Sequence, residues 1–190
     1  CITACERARR DGEDSVLHDI SEQTRADQQA GRMGPPRELD RTQPCPTRRF
    51  GVRQLTSKGS WEIRCIDDFN ASGINDCCHI IGRLRMGRIT DLVDVTKILH
   101  EAHPGTQFVI FRTDFQAAYR SVPLRPQHHL YADVVYYDTT LQRLVVSRQF
   151  AMPFGAVAAV YGWDRVADAL SHVLMACLLY TSDAADDLFR

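Results

Sequence analysis

The stretch FVIFRTDFQAAYRSVPL, residues 108–124, decides how the rest of the chain is read. Its first four residues, Phe108, Val109, Ile110 and Phe111, are an apolar and aromatic run that predicts a buried strand. One acid, Asp114, follows, and an aromatic, Tyr119, stands five positions after it. A carboxylate at the end of a buried strand is either paired, holding a metal, or out of place there, because burying a bare charge is costly.

The 190 residues suffice for one domain or two small subdomains with a real core. The net charge of −1 gives no global basic field. Its distribution is less even: seven Lys/Arg fall between Arg32 and Lys58 against Glu38 and Asp40, and Arg83, Arg85 and Arg88 follow. Such a cluster is either a solvated face or a phosphate-contacting surface. Of the seven cysteines, Cys1 and Cys5 form a lone pair and Cys77 and Cys78 are adjacent, so reduced thiols are expected rather than zinc. His100, His103, His128 and His129 lack a matching third metal ligand. No apolar run reaches the ~18 residues of a membrane span, so no membrane partner is expected. The absence of a signal peptide predicts an intracellular protein, cytoplasmic or nuclear, and the absence of an initiating Met reads as a fragment.

Working outward, residues 15–30 predict a surface helix ended by Gly31, Gly34 and the Pro35-Pro36 pair, and residues 37–46 a loop. Residues 48–54 and 61–69 predict a hairpin around Lys58-Gly59-Ser60. Residues 90–102 predict a helix with Thr90 as N-cap and Leu92, Val95, Leu99 and Ala102 on one face. Residues 130–137 and 143–150 predict strands flanking a turn at 138–142. After Met152-Pro153-Phe154-Gly155, residues 156–175 predict a long helix striped by Val157, Val160, Val166, Leu170, Val173 and Leu174. Hairpins and helices without regular βαβ alternation indicate an α+β fold.

Three patches stand in a fixed order. Lys58 and Arg64 lead to Asp68-Phe69 and Asn75; Asp114 leads to Tyr119 and Val122-Pro123-Leu124; Met152–Gly155 opens a helix. Together they resemble the reverse transcriptase domain of retroelements, a right-hand polymerase. Arg64 precedes Asp68-Phe69 as in the family's fingers strand, Asp114 and Tyr119 match its first palm motif, and Met-Pro-Phe-Gly matches the second. The resemblance covers about residues 48–175. It implies an N-terminal helical and loop segment over 1–47, fingers over 48–88 and 125–150, and an incomplete palm over 89–124 and 151–176.

The implied activity is template-directed DNA synthesis by nucleotidyl transfer, an RNA-directed DNA polymerase acting on an RNA or DNA template-primer and dNTPs. Two Mg²⁺ ions would activate the primer 3′-hydroxyl and stabilise the leaving pyrophosphate. Asp114 would be the first carboxylate ligand, with the backbone of Phe115 beside it and Gln116 beside the triphosphate. Tyr119 would exclude a 2′-hydroxyl. Lys58 and Arg64 would hold the triphosphate, and Gly155 would allow close approach of nucleotide or template. Asp68, Asn75, Met152, Pro153 and Phe154 would be structural. RNase H and integrase domains are implied neighbours in an intact polyprotein.

Blander readings stand beside these: Arg64 pairing with Asp67, Lys58 solvated at a hairpin tip, Tyr119 as core. Departures from the pattern include the doubled acid Asp67-Asp68, the long gap to Asn75, and Gln116. Other functional readings are an RNA-dependent RNA polymerase on the same palm and a non-catalytic, domesticated nucleic-acid-binding relic. The family's third motif, Tyr/Phe-x-Asp-Asp on a hairpin, should follow Met152 by about thirty residues. Asp186-Asp187 fall near that distance, but no strand pattern precedes them. Residues 177–186 resemble a translated sequencing-library adapter. The expectation is a C-terminally truncated polymerase domain with a foreign tail over 177–190, inactive in primer extension as it stands.

Overall fold

The computed structural model describes residues 14–40, 46–56, 59–80, 82–84, 87–110, 114–115 and 117–188, with the side chains of the last helix as far as Cys177. They divide into two compact units, one drawn from residues 1–80 and 117–190, the other from residues 81–116. The fold is α+β.

The larger unit is built on a mixed sheet of five strands: β1 (Arg37–Glu38), β2 (Thr47–Leu55), β3 (Trp61–Asp67), β4 (Asp133–Asp138) and β5 (Arg143–Arg148), in spatial order β1-β5-β4-β2-β3. All neighbours are antiparallel except β2 and β4, which run parallel through Thr47↔Val134 and Arg48↔Val135. Strand β4, DVVYYD, is buried almost throughout, as a central strand covered on both faces must be. Helix α1 (Asp14–Gln29) sets Val16, Leu17 and Ile20 against Tyr136, Tyr137 and Val145. It is thus a core helix, and only its outer face matches the surface helix expected. Gly51 permits this packing, since a Cβ there would meet the side chains of Ile63 and Val16.

The hairpin of β2 and β3 forms as expected, with Arg49 opposite Asp67 and Leu55 opposite Trp61. Only its first residues join β4, so its far end is a two-stranded ribbon with Val52, Leu55 and Trp61 exposed. The segment expected as loop contributes β1. The strand expected over 130–137 begins late, because Pro126 opens a 3-10 helix, Pro126–Tyr131. The turn between β4 and β5 is closed by the Asp138 carboxylate, which accepts from the backbone N–H groups of Thr140 (2.8 Å) and Leu141 (2.9 Å). Across this strand pair Arg148 grips Asp133 with two bonds, 2.8 and 3.0 Å, and Arg37 adds a third charge contact. Burial pushes the Asp133 carboxyl up, but these arginines outweigh it and hold it below the ordinary carboxylate value.

Helix α3 (Val157–Leu188) is longer than expected. Ala159 is buried in its first turn, beside Ala156 just before the helix, while Leu170, Val173 and Leu174 of the expected stripe are exposed. Asp186 and Asp187 lie within the helix, not on a hairpin.

The unit of residues 81–116 holds helix α2 (Ile89–Ala102). Its N-cap is Arg88 rather than Thr90: the Asp91 carboxylate accepts from the Arg88 backbone N–H at 2.8 Å. The apolar face of Leu92, Val95 and Leu99 is exposed. The buried strand expected at 108–111 is not formed over 108–110, which is irregular and exposed. A strand exists only against a neighbour that satisfies its backbone, and none of the described strands pairs with it. Phe111 lies outside the described residues. Among the described residues no helix is long and apolar enough to cross a membrane.

Candidate functional site

Strand β3 ends where the doubled acid begins, and the two acids part there. Asp67 is buried and receives the Arg49 guanidinium in fork geometry, Nε at 2.7 Å and Nη2 at 3.1 Å. Gln149 donates a third bond to it at 3.0 Å. Asp68 faces outward, accepts from the Ala71 backbone N–H at 3.0 Å, and pairs with Arg48 at 3.4 Å. Arg64, three positions before Asp67 on the same strand, does not pair with it. It is exposed and lies over the Phe154 ring, 3.9 Å from the centroid, with Gln54 at 3.3 Å.

Phe154 belongs to the turn that opens α3. Its carbonyl accepts from the Asp67 N–H at 3.2 Å, which ties the turn to the end of β3. Gly155 follows with φ of 108°. A Cβ there would lie inside van der Waals contact of the Asp67 carbonyl oxygen, so only glycine fits. Its close approach is therefore to the chain itself. Asn75 fastens the same turn from the other direction. Its amide donates to the Gly155 carbonyl at 3.1 Å, and its oxygen accepts from the Val157 N–H at 3.0 Å, capping α3 from outside the helix.

Tyr119 arrives on the short turn Tyr119–Ser121. Its ring meets Phe154 edge-on at 5.5 Å and Trp163 at 6.4 Å. Such pairs contribute roughly 0.5–1.5 kcal/mol each beyond the area they bury. Phe69, Ala156 and Ala159 form the core behind them, with Ile74, Tyr119 and Met152 packed against it. Val122 and Leu124 run antiparallel to residues 150–152: Met152 donates to the Val122 carbonyl at 2.8 Å and Leu124 to the Phe150 carbonyl at 2.7 Å. Pro153 is buried, and with Phe69, Pro123, Met152 and Ala156 it lines an open groove of about 890 Å³.

The fold thus gathers Arg64, Asp68, Asn75, Tyr119, Met152, Pro153, Phe154 and Gly155 around one turn. Asp114 and Phe115 belong to the 81–116 unit, where both are exposed and outside regular structure. Lys58 and Gln116 lie outside the described residues. As a metal ligand, Asp114 offers hard carboxylate oxygens of the kind Mg²⁺ takes. Asp67 and Asp68 are engaged by arginines, and no group of three acids, histidines or cysteines converges among the described residues. The described residues fit one ligand of a magnesium site, not a two-ion cage.

Two contributors escaped sequence reading. Trp163 was hidden in a helix whose register was read for aliphatic residues. The buried charges were hidden by distance in sequence: Arg49 bonds Asp67 and Thr24, and Arg120 bonds Asp27 and Gln149. The doubled base Arg48-Arg49 opposite the doubled acid Asp67-Asp68 was the available signal. Burial pulls both guanidinium groups down. Asp67 more than reverses this at Arg49, whereas at Arg120 burial outweighs Asp27.

No protein-family model matches this chain, and no curated protein matches it.

Proposed function

We propose that this chain is the fingers and partial palm of a retroelement-type reverse transcriptase, and that the turn around Phe154 is its deoxynucleotide pocket. One observation carries the reading: the three segments behind the resemblance, distant in sequence, converge on Phe154 through Arg64, Tyr119, Asn75 and Gly155. Both segments assigned to the fingers also contribute strands to one sheet.

In this reading each residue has a task. Arg64 holds the triphosphate, with its guanidinium kept flat by the Phe154 ring; a cation over an exposed aromatic face contributes roughly 0.5–1 kcal/mol. Tyr119, braced by Phe154 and Trp163, forms a wall against which a sugar stacks, and a 2′-hydroxyl would clash with it. By the resemblance, Asp114 and the Phe115 backbone would hold Mg²⁺, and Lys58 and Gln116 would contact the triphosphate. Bound Mg²⁺ would supply charge stabilisation and activation of the primer hydroxyl. RNA or DNA template-primer and dNTPs are the proposed partners.

Photocrosslinking with 8-azido-dATP, followed by peptide mapping, tests the location. Adducts are expected on peptides containing Arg64, Tyr119 or Trp163. Adducts confined to α1 or to the β4–β5 hairpin would contradict the assignment.

A further inference from the structure

The turn that carries Tyr119 also carries Arg120, whose side chain is 12% exposed and turns to Asp27 and Gln149 rather than to Phe154. Arg120 donates one guanidinium nitrogen to Asp27 of α1 and another to Gln149. Gln149 passes on to Asp67 at 3.0 Å, and Asp67 accepts the fork of Arg49. Arg49 approaches Asp27 at 3.7 Å, which closes a ring: Asp27, Arg120, Gln149, Asp67, Arg49. Arg32 adds a bond to Asp27 at 2.8 Å, and Thr24 accepts from Arg49 at 3.0 Å. Every buried side-chain polar atom among the described residues has a partner.

Stability alone does not explain such a ring. A buried ion-pair set is often no more stabilising than apolar residues of the same volume, and its best-attested benefit is a fixed geometry. Here the geometry fixed is specific. One side of the ring holds Arg120, adjacent to Tyr119. The other holds Asp67, whose backbone grips Phe154 and abuts Gly155. The two halves of the aromatic contact, Tyr119 and Phe154, hang from the same buried charges.

We propose that Arg120 is a positioning residue that, through this ring, holds Tyr119 against Phe154 and so sets the preference of the pocket for a deoxy sugar; the sugar part rests on the polymerase reading above. The test labels the chain with 3-fluorotyrosine and records ¹⁹F spectra, with the Tyr119 resonance identified by Tyr119→Phe. In Arg120→Met the Tyr119 resonance is expected to shift toward its unfolded position while those of Tyr136 and Tyr137 hold. Arg120→Lys keeps the charge for Asp27 but not both bonds, and an intermediate shift is expected. If Arg120→Met does not fold, the lysine variant decides. An unmoved Tyr119 resonance, or a uniform shift of all tyrosines, overturns the proposal. Titration with dATP and ATP supplies the second arm. The wild-type chain is expected to favour dATP, and the preference is expected to be lost in the variants. Equal binding of both nucleotides by all forms overturns the specificity claim. If the wild-type chain binds neither nucleotide, the polymerase reading falls, and the ¹⁹F spectra still decide whether Arg120 places Tyr119.

Discussion

Asp67 and Asp68 are neighbours in sequence and differ in almost everything else. The Asp67 side chain is 1% exposed and its partner Arg49 is 3% exposed, whereas Asp68 and Arg48 are about a quarter exposed. Removing one charge of a buried pair strands the other, which costs about 3–5 kcal/mol. A partly exposed pair contributes about 1 kcal/mol or less. Asp67→Asn is therefore expected to lower the unfolding free energy in urea by several kcal/mol, and Asp68→Asn by less than about 1 kcal/mol. Equal losses would mean that the burial of Arg49 is not what the doubled acid serves. The same contrast separates Asp67 from Arg64. The alternative in which Arg64 simply neutralises Asp67 is closed by the Arg49 fork, which leaves Arg64 over Phe154 at the surface.

Among the elements, α3 depends on a residue far from it in sequence. Asn75 both donates to the Gly155 carbonyl and caps the Val157 N–H. Loss of such a cap costs about 0.5–2 kcal/mol. Asn75→Ala is expected to destabilise the larger unit by that amount and to loosen the turn at Phe154, read as faster amide exchange at Val157. Unchanged exchange there would remove Asn75 from the cap. Elements whose signals are local were legible in the sequence. The β2–β3 hairpin, the β4–β5 pair and the three helices α1, α2 and α3 follow from apolar periodicity and from turn residues. The parallel joining of β2 to β4 was not legible, because it rests on two residue pairs separated by nearly half of the chain. Residues 108–110 misled for a related reason: composition marks them as strand-forming, but a strand also requires a partner, and partners are not written locally. The long apolar stripe of α3 misled likewise, since Leu170, Val173 and Leu174 have the pattern of a core face and are exposed. Of the candidate site, the motif residues around Phe154 were legible as types. Their supports, Arg49, Arg120, Gln149 and Trp163, were not, because they act across the fold.

For the molecule as a whole, the larger unit brings a cation, an aromatic pair and a glycine turn together beside the Arg49–Asp67 pair, and the proposed sugar selection rests on that grouping. The unit of residues 81–116 carries Asp114, the proposed metal ligand. The central claim is that the turn around Phe154 recognises a deoxynucleotide by excluding a 2′-hydroxyl at Tyr119. Equilibrium binding of dATP and ATP to the wild-type chain and to Tyr119→Ala, with Mg²⁺ present, tests it most directly. The wild type is expected to bind dATP at least about tenfold more tightly than ATP, a difference of ~1.4 kcal/mol, and Tyr119→Ala to bind the two alike. Equal affinities in the wild type, or a preference that survives the loss of the Tyr119 ring, would contradict the account.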